Sequence, residues 1–156
     1  VVFDIRKEQN PCSLCAKLRR GALNNAAKSL GCNKVALAHH QDDAIETFML
    51  SMLYEGRISC FEPVTYLDRK DITLIRPMLY VREKEIKRAA KRLELPVVRN
   101  LCPADKHTKR QEVKNLIAEL DYRYRGFDRR LFGAIQRYPL RGWEKPGQGK
   151  DGHPDE

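Results

Sequence analysis

Apolar positions fall into short runs separated by helical stripes. An apolar start at Val1, Val2 and Phe3 reads as the tail of a strand. Over 13–30, Leu14, Leu18, Ala22 and Ala26 recur every fourth residue and Gly31 supplies a stop, which predicts a helix. Residues 34–38, KVALA, read as a short buried strand. Over 42–54, Ile45, Phe48, Met49, Met52 and Leu53 give the i, i+3, i+4, i+7, i+8 stripe of one helical face. Residues 56–72 have a weak pattern and read as a loop or hairpin region. The next strand is 73–79, TLIRPML, where Pro77 has no N–H to donate and so belongs near the end. A third helix is predicted over 82–93, with Ile86, Ala89, Ala90 and Leu93 on one face, followed by a short strand at 95–98 and a loop over 99–107. A fourth helix, 110–122, aligns Val113, Leu116, Ile117 and Leu120, and a fifth covers 128–138. From 141 to 156 Gly, Pro and charges dominate, and a disordered tail is expected.

Strands alternating with helices predict an α/β fold with a mainly parallel sheet. Such sheets bind ligands beyond the carboxyl ends of their strands. Two segments with suggestive chemistry, 39–43 and 99–102, follow predicted strands. The 156 residues suit one domain or the larger part of one. No run of 18 apolar residues and no apolar leader occur, so neither a membrane span nor a signal peptide is expected. The first residue is Val, and the reading expects a missing or cut N-terminus.

The net charge of +9 favours a polyanion partner, most often nucleic acid. Most of the surplus lies between 82 and 130, where Lys and Arg outnumber Asp and Glu by 15 to 8. There Tyr122, Tyr124 and Phe127 interleave with Arg123, Arg125, Arg129 and Arg130. Cations with stacking rings suit a folded RNA or a single-stranded loop; a solvated helix face with the rings packed inward is the plainer alternative.

Five cysteines, an odd number, with no secretion signal argue against a disulfide framework and for a reducing cytoplasm. Cys12 and Cys15 form a C-x-x-C at a predicted helix N-terminus. There the helix dipole and nearby cations favour thiolate. Cys102 follows a predicted strand. Three thiolates leave a tetrahedral zinc one ligand short, which His107 or His39 could supply. The same three could hold three irons of a [4Fe-4S] cube, leaving the fourth iron open. Cys32 and Cys60 have no partner spacing, and Cys32, between the Gly stop and a strand, reads as a small buried hydrophobe. The turn His39-His40-Gln41-Asp42-Asp43 joins a strand to a helix. One Asp there needs no role beyond capping. Two Asp after two His suit Mg²⁺ or the ribose and phosphates of a nucleotide.

Four segments in order, CSLCAKLRRG (12–21), LAHHQDDAIETF (37–48), IRPMLYVREKEI (75–86) and NLCPADKHTKRQEV (100–113), resemble the tRNA 2-thiocytidine synthetases of the PP-loop (N-type ATP pyrophosphatase) superfamily. The likeness spans about 10–138, and the 2-thiouridine and lysidine synthetases share parts of it. It implies a Rossmann-like, adenine nucleotide alpha hydrolase-like three-layer fold, incomplete at its N-terminus, with 1–140 as the C-terminal portion of the thiolase domain. It also implies adenylation of a tRNA cytidine C2 oxygen by ATP and Mg²⁺, then replacement of that oxygen by sulfur from a donor. A [4Fe-4S] cluster on Cys12, Cys15 and Cys102 is implied as the sulfur carrier. His39, His40, Asp42 and Asp43 become candidates for the nucleotide site. Asp43 is the candidate catalytic carboxylate, and Arg19 a basic residue near the reacting base. The family's SGGxDS phosphate loop does not occur in this sequence, so the chain alone is expected to bind ATP poorly and to be inactive. Open sheet edges left by lost strands would invite a homodimer. The alternatives are a zinc-stabilised RNA-binding module and a lysidine-synthetase-like ligase.

Overall fold

The first helix, α1 (Pro11–Ser29), ends where Gly31 takes a left-handed φ of 72°. That geometry lets Cys32 N–H reach back to the Ala27 carbonyl at 2.9 Å and satisfies an open helix end. In the computed structural model of the chain, the described residues are 11–98, 102 and 108–137, with the side chains of residues 11 and 12 excluded. They form two compact units, the first drawn from 1–37 and 64–75 and the second from 38–63 and 76–156.

The first unit contains α1 and the strands β1 (Lys34–Ala36), β2 (Val64–Leu67) and β3 (Ile72–Ile75). The strand order is β1-β3-β2. β1 runs parallel to β3, pairing Val35 with Leu74, and β2 runs antiparallel to it, pairing Thr65 with Leu74. Ile72 and Leu74 alternate inward along β3 and pack with Val35 and Ala27. The β2–β3 hairpin turns through a short 3₁₀ segment, Asp68–Lys70, into Asp71 at φ 49°. An Asp tolerates this left-handed geometry. Its carboxylate accepts from Tyr66 Oη at 3.0 Å and from Lys28 Nζ at 3.3 Å.

Three expectations are corrected here. The sheet is small and mixed, and most described residues are helical, so the structure does not show a three-layer fold with a mainly parallel sheet. The antiparallel strand came from the weakly patterned stretch 56–72, and 95–98 forms no strand: Val97 and Val98 are 80% and 91% exposed. The buried face of α1 also differs from the predicted one. A strict four-residue spacing drifts about 40° per step on a 3.6-residue helix, so the four apolar residues spread over roughly 120°. Asn24 and Ala27, three apart, turn inward instead, and Leu18 is half exposed.

The second unit is helical: α2 (Gln41–Glu55), α3 (Glu83–Arg92), α4 (Lys109–Arg123) and α5 (Phe127–Arg137). α2, α4 and α5 pack on one another. Their core joins Ala44, Ile45, Phe132 and Ile135 with Leu79, bordered by Phe48, Phe61, Cys60 and Ile117. All five helices lie within two residues of the spans predicted, because periodicity and caps agreed. Thr108 caps α4, its hydroxyl accepting from Gln111 N–H at 3.3 Å. On α2, Ile45 and Met49 are buried, whereas Met52 and Leu53 are exposed. The initial strand at 1–3, the tail at 141–156 and His107 lie outside the described residues.

Between α4 and α5 the chain reverses at Gly126, φ 78°. An alanine there must hold a backbone that L residues disfavour, while the nearest obstacle, Arg129 Nη2 at 3.3 Å from the added Cβ, is a flexible tip that can swing away. Gly126→Ala is therefore expected to cost about 1 kcal/mol through the backbone. A shift in the urea midpoint checks it.

Candidate functional site

The HHxDD turn is built by helix capping. His40 is the N-cap of α2 and Asp43 occupies the third helical position. Asp43 Oδ2 accepts from His40 N–H at 3.0 Å, and His40 Nδ1 accepts from Asp43 N–H at 3.4 Å. This reciprocal box satisfies two donors that a helix start leaves open. Asp42 turns elsewhere: its Oδ2 accepts from Glu83 N–H at 2.8 Å, at the start of α3, and lies 3.9 Å from Arg82 Nε. Gln41 N–H donates to the Val81 carbonyl at 3.0 Å, so the turn and the entry to α3 are tied twice. His39 packs its ring on Phe61, centroids 4.9 Å apart, and Arg76 also sits over that ring.

Residues that sequence reasoning did not single out complete the surroundings. Arg110, in the first turn of α4, donates to Glu46 Oε2 at 2.9 Å and to Thr47 Oγ1 at 3.2 Å, and stands 3.8 Å from Asp43 Oδ1. Lys114 lies one turn later, 2.7 Å from Glu83 Oε2 and 4.0 Å from Glu46 Oε1. Arg82 pairs with the buried Asp128 of α5. Burial pushes the Glu46 carboxyl above its ordinary range, and the Arg110 hydrogen bond offsets part of that rise. The signal for Arg110 and Lys114 was their four-residue spacing on α4, matching Asp42/Glu46 on α2. A cleft of about 220 Å³ opens here, lined by Asp42, Glu46, Arg82, Lys114, Asp121 and Asp128. Asp42 is fixed through Oδ2, whereas Asp43 is fixed through Oδ2 and turns Oδ1 towards Arg110, so the turn presents carboxylates beside a guanidinium.

Glu83 lies between two lysines. Hydrogen bonds from Lys114 and Lys87 lower its carboxyl from 4.5 to about 2, against a smaller effect of burial. A carboxyl depressed in the folded state stabilises fully above its unfolded value and loses that contribution as it protonates. Stability is expected to fall as pH drops from 4.5 towards 2. Glu83→Gln should flatten this limb of the pH–stability curve, as followed by urea unfolding at stepped pH.

The cysteines divide between the units. Cys12 and Cys15 lie one turn apart in the first turn of α1, which contains no acidic residue. Cys15 is half-buried, and the Cys12 side chain lies outside the described part. Sulfur donors one helical turn apart are the ligand type and spacing a soft metal or an iron–sulfur cluster takes. Cys102 belongs to the second unit and is exposed. Among the described residues no three His, Cys, Asp or Glu side chains converge as a metal site. Cys60 is a different case. Burial pushes its thiol up to about 12, and Sγ donates to the Ala44 carbonyl at 3.5 Å, so it remains protonated core. Cys32 is exposed, which corrects the expectation of burial. Arg19 is exposed on α1, in the first unit, whereas the HHxDD turn belongs to the second. No helix among the described residues is long and apolar enough to cross a membrane.

Comparison with known proteins places this arrangement in context. The chain is 37% identical over 140 residues to a tRNA-cytidine(32) 2-sulfurtransferase of Dechloromonas aromatica, covering 86% of this chain and 49% of that protein. It is 39% identical to the tRNA-cytidine(32) 2-sulfurtransferase of Ralstonia nicotianae, covering 86% of this chain and 45% of that one. The chain thus spans about half the length of these relatives. Among solved structures it resembles a U34-tRNA thiolase from Methanococcus maripaludis with its [4Fe-4S] cluster. The TM-score is 0.67 at 26% identity, over 86% of this chain and 45% of the other. The family model for the PP-loop domain matches residues 4–120, and the chain therefore belongs to the PP-loop family, whose tRNA sulfurtransferases are its relatives.

Proposed function

We propose that this chain is the C-terminal portion of an ATP-dependent tRNA thiolase that replaces the C2 oxygen of a cytidine with sulfur. The observation that carries the reading is the C-x-x-C in an acid-free first helical turn, in a chain whose relatives are tRNA-cytidine 2-sulfurtransferases. The cluster of the structurally similar thiolase supports an iron–sulfur assignment.

In the proposed reaction the C2 oxygen attacks the α-phosphorus of ATP and pyrophosphate leaves. Sulfide-level sulfur from the donor then attacks C2, AMP departs with the original oxygen, and the sulfur's proton is lost to solvent. Cys12, Cys15 and Cys102 would hold a [4Fe-4S] cluster, which when bound supplies an iron site for the sulfur. The rest falls to this chain's own groups. The capping box fixes the Asp43 carboxylate at the α2 N-terminus, where it can orient Mg²⁺ or the nucleotide. Asp42 is held against the start of α3 with its second oxygen available to the same ligand. His39 and His40 flank the nucleotide, and Arg110 offsets the negative charge of Asp43 and Glu46 from behind. Arg19 is assigned to the reacting base or its phosphates. The phosphate loop, ATP, a sulfur donor and the tRNA complete the active assembly.

Anaerobic purification followed by iron, sulfide and zinc analysis tests this reading. About four iron and four sulfide per chain are expected. One zinc without iron would assign a zinc-stabilised RNA-binding module instead.

A further inference from the structure

Aromatic side chains carry a large apolar surface and ordinarily bury it. Tyr122, at the end of α4, is 91% exposed, and Tyr124, just beyond it, is 55% exposed. The nine residues 122–130 contain four arginines and one acid, Asp128. That acid is buried and paired with Arg82, so it does not neutralise the outer surface. Arg123 is engaged by Glu119 at 3.1 Å. Arg125 and Arg129 are exposed and form no salt bridge with a carboxylate among the described residues.

The turn itself is rigidly made. Arg130 Nη1 donates to the Arg125 carbonyl at 2.8 Å and Nη2 to the Tyr124 carbonyl at 2.9 Å. Phe127 N–H donates to the Tyr124 carbonyl at 2.9 Å, across Gly126 in its left-handed conformation. A turn already fixed loses little conformational freedom when a ligand binds.

We propose that this corner between α4 and α5 is an RNA-docking platform, with an unpaired base stacked on Tyr122 and flanking phosphates held by Arg125 and Arg129. The charge is complementary to a phosphate backbone. An exposed ring adds a preference for single-stranded segments, because duplex bases offer no free face. The proposal rests on the thiolase reading only for the identity of the RNA as tRNA; the surface chemistry stands independently.

The test uses the full chain and a fluorescently labelled RNA stem–loop with an unpaired loop, alongside a blunt duplex of matched length. Anisotropy titrations are run at several salt concentrations. The chain is expected to prefer the stem–loop. Tyr122→Ala should weaken that binding about tenfold, and Tyr122→Phe should restore it, since the ring alone is needed. Arg125→Glu with Arg129→Glu should weaken binding and flatten its salt dependence by about one to two phosphate contacts. Thermal melts should not move for Tyr122→Ala, whose side chain packs against little. Variants that bind the stem–loop like the unmodified chain overturn the platform and leave the thiolase reading intact. An unmodified chain that binds neither RNA also overturns the platform, and the thiolase reading is then judged by its iron and sulfide content alone. Tighter binding to anionic phospholipid vesicles than to the stem–loop overturns the RNA assignment.

Discussion

Cys102→Ala is expected to abolish retention of the iron–sulfur cluster. A cube held by three thiolates has no protein ligand to spare, and two cysteines one helical turn apart leave a second iron unprotected. The anaerobically purified variant should lose its visible charge-transfer absorption together with its iron and sulfide. Cys15→Ala should do the same, since Cys15 supplies a half-buried sulfur one helical turn from Cys12 at the start of α1. Two internal controls separate ligand loss from general damage. Cys32→Ala should keep its full iron, because that residue is exposed beyond the end of α1. Cys60→Ala should also keep it while losing stability, because a thiol pushed up to about 12 in the core serves packing. A Cys102→Ala chain with full iron and sulfide would remove Cys102 from the ligand set.

Arg82→Ala is expected to destabilise the second unit by about 3 kcal/mol. Arg82 reaches Asp128, whose carboxylate is largely buried on α5, and stands beside Asp42 on α2. Taking the guanidinium away leaves Asp128 with too little compensation for its lost hydration. Asp128 does have other partners, since it accepts from the Arg129 backbone N–H. The residual bond limits the loss. The urea midpoint of the variant should fall sharply with an unchanged slope. The double variant Arg82→Met with Asp128→Leu should recover much of the loss, because it is the unpaired charge that costs most. An Arg82→Ala chain as stable as the unmodified one would show that this ion pair contributes nothing net.

The helices were legible from Gly31 as a stop and from the apolar stripes on α2, α3 and α4, and the structure adds Gly56 at the end of α2 and Thr108 as the cap of α4. The sheet was less so. A four-residue edge strand such as β2, with Val64 and Tyr66 exposed, lacks the buried apolar run that marks a central strand. The segment 95–98 has such a run, LPVV, yet leaves Val97 and Val98 exposed, since strand propensity without a partner makes no ladder. At the candidate site, the HHxDD turn was visible as a concentration of polar groups at a helix start. Its internal division was not. The structure gives Asp43 to the cap of α2 and Asp42 to α3, forty-one residues onward. Arg110 and Lys114 were hidden among many cations because their meaning depends on which carboxylates the packing of α2 on α4 brings opposite them.

The central claim is that Cys12, Cys15 and Cys102 share one inorganic centre. Differential alkylation read by peptide mass spectrometry tests it most directly. In the anaerobic, cluster-loaded chain, all three cysteines should resist a thiol reagent together while the exposed Cys32 reacts at once. Removing the iron with a chelator should expose the three as a set, and the half-buried Cys60, whose thiol is pushed up to about 12, should remain slow throughout. If Cys102 in the loaded chain is modified as fast as Cys32, the third thiol is not a ligand and the account is contradicted.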